Sequence, residues 1–295
     1  MIKRLMLAFV TFGLLAVSAH ATEEAAPSQA AAPQKAQKQS PDADDLEIDP
    51  GEPDFTIVNL PTTLRLPRHK LAFRLTHRFS RPLGQGDFGD RAADLFGFDS
   101  AAGVGLELRF SPARGNQIGV YRTNDRTIEF ALNQNLVRSA KGPLGVTAFA
   151  SVEGRDNFGE DYAPAVGVVL SRRLKTRGAV YATAYWVGNS RLDDSGGGDN
   201  NTLLLGLGAR VRVLSSVSIV AELVPRLAGY KGVNPVDPTR RAAHYLSFGI
   251  AKQVGGHSFQ LNLSNGFATT PAQLARGSFT GDDWYIGFNL SRKFF

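Results

Sequence analysis

The sequence contains no cysteine. That excludes disulfide frameworks, thiolate metal sites and cysteine nucleophiles together. It also removes the residue that lipoprotein processing would modify. Long apolar runs are missing too: beyond the N-terminus there is no stretch of about eighteen apolar residues, the length a helix needs to cross a bilayer. A helical membrane protein is thereby excluded. A membrane β-barrel is not, because only every second residue of a spanning strand has to be apolar. Metal-ligand spacing is absent as well. His69, His77, His244 and His257 stand apart from one another and from Asp or Glu at ligand intervals. No metal and no cofactor is expected.

What is present divides the chain into three materials. Residues 1–21 read as a secretory signal peptide, with Lys3 and Arg4 ahead of an apolar Leu5–Val17 and a small-x-small site at Ala19-His20-Ala21. Residues 22–53 hold eight acidic and two basic residues among Ala, Pro and Gln, with no aromatic residue. Such a segment cannot bury enough apolar surface to offset its ordering entropy, so a disordered acidic linker is expected. From residue 54 onward the balance turns basic, with 29 Lys and Arg against 19 Asp and Glu. In a secreted chain this points to a basic cavity or to anionic lipid head groups rather than to nucleic acid.

The body alternates with period two. "HKLAFRLTHRFS" sets Leu71, Phe73, Leu75 and Phe79 against Ala72, Arg74, Thr76 and Arg78. "TLLLGLGARVRVL" sets Leu203, Leu205, Leu207, Ala209, Val211 and Val213 against Gly206, Gly208, Arg210 and Arg212. Each is a strand with one apolar and one polar face. Twelve such segments are expected, near 69–80, 102–112, 116–123, 127–137, 144–155, 163–174, 178–189, 202–214, 217–227, 243–254, 257–268 and 283–295. The even-numbered links are short; the long ones, such as "RPLGQGDFGDRAADLFGFDSA" and "ATTPAQLARGSFTGD", are all odd-numbered. Short turns on one rim and long loops on the other are the pattern of an outer-membrane barrel. A lipocalin-like soluble barrel also alternates. One-sided loop lengths, secretion without disulfides and aromatic residues near strand ends favour the membrane form. The fold class is all-β: a single up-and-down antiparallel transmembrane barrel of about twelve strands, within a range of about 10–14.

If the apolar face meets lipid, the polar face lines the lumen. Candidate selectivity residues are Arg74, Arg78, Glu107, Arg109, Glu129, Glu153, Arg173, Arg210, Arg212, Glu222, Arg226 and Lys293. Buried charges need partners or water. The Glu107/Arg109 pair and the Arg210/Arg212 rows are expected to supply cross-strand ion pairs. Two readings stand open: an anion-favouring pore, or a salt-bridged, plugged lumen. In the first loop, 90–96 has helical character, and the loop is expected to fold inward and narrow the pore. The run "FTIVNLPTTLRLP" is too apolar for a linker, and Pro61 and Pro67 bar it from a central strand. It is placed in the periplasmic mouth or inside the lumen. At the other end, Trp284, Ile286, Phe288, Leu290 and Phe294 share one phase and Phe295 takes the opposite one. These six are read as the C-terminal signal for the barrel assembly machinery, with Phe294 facing lipid and Arg292 reaching toward head groups.

Enzyme chemistry finds no foothold. His77 lies on the outward phase without a serine two residues away on its face. "DDSGGGDNN" at 193–201 carries oxygen ligands but not the spacing of a calcium loop. The glycines of "GVG" and "GLG" precede no phosphate-binding helix.

The phrases "NLPTTLRLPRHKLAFRLTHRFSRPLGQGDFGD", "NQIGVYRTNDRTIEF", "VEGRDNFGEDYAPAVG" and "YIGFNLSRKF" resemble an uncharacterised, domain-of-unknown-function family of Gram-negative outer-membrane β-barrel proteins. The resemblance covers 55–295. It implies a secreted outer-membrane barrel and carries over no catalytic or binding residue. The expected function is passage or binding of small anionic solutes. The alternative is a structural barrel with a plugged lumen that recruits a periplasmic partner through the linker; an outer-membrane enzyme ranks last. Expected partners are outer-membrane lipid, the assembly machinery and that periplasmic protein.

Overall fold

A computed structural model describes residues 49–137, 142–192, 200–233, 241–278 and 283–295. The expected signal peptide, most of the linker and the 193–199 part of the glycine-rich loop lie outside the described residues.

The strands follow in chain order: β1 Leu71–Phe79, β2 Ala102–Phe110, β3 Asn116–Thr123, β4 Ile128–Val137, β5 Leu144–Arg155, β6 Glu160–Arg173, β7 Gly178–Val187, β8 Thr202–Arg212, β9 Val217–Val224, β10 Arg226–Gly229, β11 Tyr245–Val254, β12 His257–Ser264 and β13 Tyr285–Phe294. Each pairs antiparallel with its neighbours. Both β9 and β10 pair with β8. They are two halves of one barrel strand interrupted at Pro225, which has no N–H to give to the ladder. Twelve barrel strands result. The sheet closes where β1 pairs with β13, in a register that sets Leu71 opposite Phe294 and Arg78 opposite Gly287. Closure leaves no free edge, which is the condition for strands to stand in hydrocarbon.

The alternation read from the sequence decides which way each side chain points. Leu106, Leu108, Ile118, Val120, Phe130, Leu132, Leu207, Ile250 and Leu261 are exposed on the outer wall. Thr76, Arg78, Glu107, Gln117, Arg210 and Glu222 are buried on the other face. The molecule is thus apolar outside and polar within, the inverse of a water-soluble barrel.

Among the described residues two short α-helices lie outside the wall strands: α1 Phe88–Ala93 in the first loop and α2 Pro271–Arg276 in the last. α1 buries none of its residues, so the expected inward fold of the first loop is not what forms. The last loop goes in instead. α2 buries Ala272, Leu274 and Ala275 in the main core cluster. Small side chains let its backbone fit against the wall, which Phe88, Leu95 and Phe96 could not do.

Gly51, Glu52 and Pro53, assigned to the linker, are buried. Residues 49–67 run through the barrel interior rather than lying outside it. Ile57, Val58, Leu60 and Leu66 have no exposed surface. Each such burial is worth about 1.5–3 kcal/mol, an upper figure because an unfolded chain already shields some surface.

Candidate functional site

The lumen is built around this inserted segment. Its backbone turns on itself: Ile57 N–H donates to Leu60 O at 2.9 Å and Thr62 N–H to Phe55 O at 2.9 Å. The result is a narrow hairpin with Val58 and Asn59 at its tip. A hairpin enclosed by a barrel cannot reach the ladder hydrogen bonds of the wall, so its main-chain groups must be met by lumen side chains. They are. Glu222 Oε1 accepts three successive backbone N–H groups, from Val58 at 2.6 Å, Asn59 at 2.8 Å and Leu60 at 2.7 Å. The carbonyl of Ile57 accepts from Gln260 Nε2 at 2.6 Å, and that of Val58 from Asn289 Nδ2 at 2.8 Å. The Asn59 side chain donates to Tyr245 Oη at 2.5 Å and accepts from Arg78 Nη2 at 2.9 Å. Arg210 Nη2 donates to Thr56 O at 3.3 Å.

Space for the tip comes from glycine. A Cβ on Gly206 would meet the Leu60 side chain and one on Gly208 the end of Ile57. The strand glycines of "GLG" therefore serve close approach.

The two legs are fixed by charge. Asp54 accepts from Ser291 Oγ at 2.7 Å and lies 3.7 Å from Lys293 Nζ. Burial would raise its carboxyl, but Lys293, Arg210 and the hydrogen bonds from Ser291 and the Phe55 N–H together outweigh that and hold it below the usual carboxylate range. Asp49 pairs with Arg173. On the returning leg, Asn135 Nδ2 donates to Thr63 O at 3.0 Å and Gln117 Nε2 to Leu64 O at 3.0 Å. Glu52 accepts from Thr63 N–H at 2.8 Å, yet burial pushes its carboxyl up to about 7.

Glu52 makes the docking of the legs pH-dependent. Its carboxyl is raised from 4.5, so the docked state holds a proton that the released state gives up. The Glu52 contribution to docking is therefore fully present below about pH 4.5 and is lost as pH rises to about 7, by about 3 kcal/mol in all. Protease susceptibility of residues 49–67 in reconstituted protein, measured between pH 5 and 8, should rise with pH, and Glu52→Gln should flatten the profile. A rise that survives the substitution would assign it to another group.

Of the residues singled out from sequence, Arg78, Glu107, Arg109, Glu129, Glu153, Arg210, Glu222, Arg226 and Lys293 are buried, while Arg74, Arg173 and Arg212 are half-buried. The expected Glu107/Arg109 pair forms, and Arg74 joins it. Glu107 is held by Arg74 at 2.7 Å and by Arg109 at 2.7 Å. Arg210 does not reach it and serves the hairpin instead. The reason is the register, which puts Arg74 directly opposite Glu107. Glu153 takes Arg276 of α2 at 2.7 Å, with Thr270 beside it. Glu129 lies opposite both Tyr121 and Glu153. Arg226 donates to Ala243 O at 3.0 Å. Outside the barrel, His77 stacks on Phe288 at 4.8 Å. Trp284 meets Phe248 at 5.2 Å. Phe294 faces outward with Arg292 over its ring at 5.0 Å, while Phe295 turns in against the Phe55 and Leu66 cluster.

Sequence reasoning missed the partners supplied by inserted segments: Asp49, Glu52, Asp54 and Asn59 from one end, and from the other Thr270, Arg276 and Thr269, whose hydroxyl accepts from Tyr121 Oη at 2.9 Å. The apolar run inside a polar linker was the visible signal for the first set. Nothing comparable marks the second.

A cavity of about 390 Å³ remains between α2 and the far ends of β2 and β3, lined among others by Tyr121, Thr123, Asp125, Phe267, Gln273 and Arg276.

A family described as "membrane bound beta barrel domain (DUF5777)" matches residues 54–294. The chain belongs to this family. Its barrel, with the lumen built as above, is an outer-membrane β-barrel of porin-like fold. Among solved structures, the NanC porin aligns at 12% identity over 76% of this chain and 100% of its own, with a TM-score of 0.50. An outer membrane channel from Pseudomonas putida F1 aligns at 13% identity over 78% of this chain and 97% of its own, with a TM-score of 0.48. The Acinetobacter baumannii outer membrane protein Omp33 aligns at 11% identity over 79% and 100%, with a TM-score of 0.41. At such identities the likeness to the NanC porin is one of barrel fold. No match was found among curated proteins.

Proposed function

We propose that this outer-membrane barrel is closed by its own chain and acts as a non-enzymatic, plugged barrel that presents its acidic N-terminal segment to a periplasmic partner. The observation that carries this reading is the hairpin tip on Glu222: three main-chain donors on one buried carboxylate oxygen. A passive pore has no use for such a seat. The leading leg ends at Asp49, which pairs with Arg173 beside the short turn Lys175–Arg177, and this rim is the side from which the acidic segment would be offered to a partner.

A second reading, a pore for small anions, is favoured by what the hairpin touches. Arg78, Arg210 and Lys293 all hold hairpin oxygens or charges. With the hairpin withdrawn they would line the wall, and basic walls favour anions.

Planar-bilayer recordings separate the readings. The full chain is expected to be silent, and a chain lacking residues 49–67 is expected to conduct with anion preference. Steady conductance by the full chain would sink the plug. Co-purification of a periplasmic protein that is lost when residues 22–48 are removed supports the partner; its retention in their absence would argue against it.

A further inference from the structure

The first loop presents an apolar surface that the barrel does not cover. Phe88 is 74% exposed, Leu95 62%, Phe96 49% and Phe98 46%. The loop is nonetheless well built. A reciprocal capping box of Asp87 and Asp90 starts α1. Arg91 donates to Gly86 O at 3.1 Å and Gly84 O at 3.2 Å, and Arg81 pairs with Asp94. Leu83 N–H reaches Trp284 O at 2.8 Å, tying the loop to the barrel rim.

Two features say that the display is purposeful. Leu95 and Phe96 both adopt positive φ, 50° and 55°. Bulky side chains are strained there, and neither gains burial in the protein. The direction of the patch is fixed by Phe98, which packs on Phe79 at 5.0 Å. Phe79 joins His77 at 4.4 Å and Phe288 at 6.2 Å. His77 and Phe288 are on the outward phase of β1 and β13, beside Leu75 and Leu290. The apolar face of the loop is thus continuous with the lipid-facing wall.

We infer that the first loop is an interfacial anchor: Phe88, Leu95 and Phe96 enter the head-group and acyl boundary of the leaflet that meets this rim. The partner is a lipid surface, reached as a short amphipathic element reaches it, with apolar groups down and Asp90 and Arg91 toward water. Aromatic side chains suit this depth. Strain at Leu95 and Phe96 is then offset by burial in lipid.

The absence of cysteine gives a clean test, since a single introduced thiol takes a nitroxide label without background. Phe96→Cys is labelled in the full chain in dioleoylphosphatidylcholine vesicles. Its collision rates with oxygen and with a water-soluble nickel chelate are read by electron paramagnetic resonance. Leu106→Cys on the outer wall is the lipid reference, and Thr176→Cys in the turn at the opposite rim is the water reference. The oxygen-to-nickel ratio at position 96 is expected to lie several-fold above that at 176 and to approach that at 106. A ratio equal to that at 176 overturns the anchor. Spin–spin broadening between labels at position 96 also overturns it, by assigning the patch to a second copy. Should Phe96→Cys fail to fold, Phe88→Cys gives the same readout, because α1 buries nothing.

Discussion

Glu222→Ala is expected to release the hairpin tip and leave the barrel standing. The substitution strips the acceptor from three buried N–H groups at once. Bonds to a charged acceptor are worth about 1.5–3 kcal/mol each, and a buried donor left without a partner costs its full desolvation. Sharing one oxygen makes the three less than additive, so a loss of about 3–5 kcal/mol in docking is expected. Hydrogen exchange by mass spectrometry, on protein in vesicles, reads the effect at Val58, Asn59 and Leu60. Protection there should fall by about two orders of magnitude or more, at about 1.4 kcal/mol per decade. The ladder amides of β8 and β9 should not change. Glu222→Gln keeps an oxygen in place and loses the charge, so it should fall between. Unchanged protection at the tip in Glu222→Ala would mean that apolar burial alone seats the hairpin.

A comparably large effect is expected at Gly178, this time on the barrel itself. Gly178 opens β7 with φ 147° and ψ −164°. That region belongs almost solely to glycine, and a strained position costs about 1–3 kcal/mol. A Cβ there would also fall on the main-chain oxygen of Arg210 in the neighbouring strand. A strand paired on both sides cannot step back without losing ladder bonds. Gly178→Ala should therefore destabilise the barrel by about 3 kcal/mol or more. The urea midpoint of the folded, heat-modifiable band on an unboiled gel measures it. Gly84→Ala, whose Cβ would meet nothing within 4 Å, is the neutral reference. Equal midpoints for the two variants would refute the strain argument.

Much of the molecule is legible from side-chain alternation because a closed sheet in a bilayer leaves it no freedom. Each strand has one face in lipid and one in the lumen, so Leu203 through Val213 and Arg210 fall where period two puts them. The short even turns carry the orientation in the same way. Phe294 outward and Phe295 inward also followed from phase, and the structure adds that Phe295 covers Phe55 and Leu66.

What the lumen does with its charges was not legible, because pairing depends on register and on what enters from the ends. Alternation says that Arg210 points inward; it does not say that Thr56 will be its neighbour, 154 positions away in sequence. The loop lengths likewise could not tell which loop turns in. Bulk decides that: α2 offers alanines to a crowded interior, whereas the first loop offers phenylalanines, which the wall outside can use and the lumen cannot hold. The sequence by itself determined a membrane barrel with a polar, charged interior, since hydrocarbon outside and hydrogen-bond closure permit little else. Only the tertiary structure decided that the interior is occupied, because an apolar hairpin finds its polar partners only once twelve strands have closed around it.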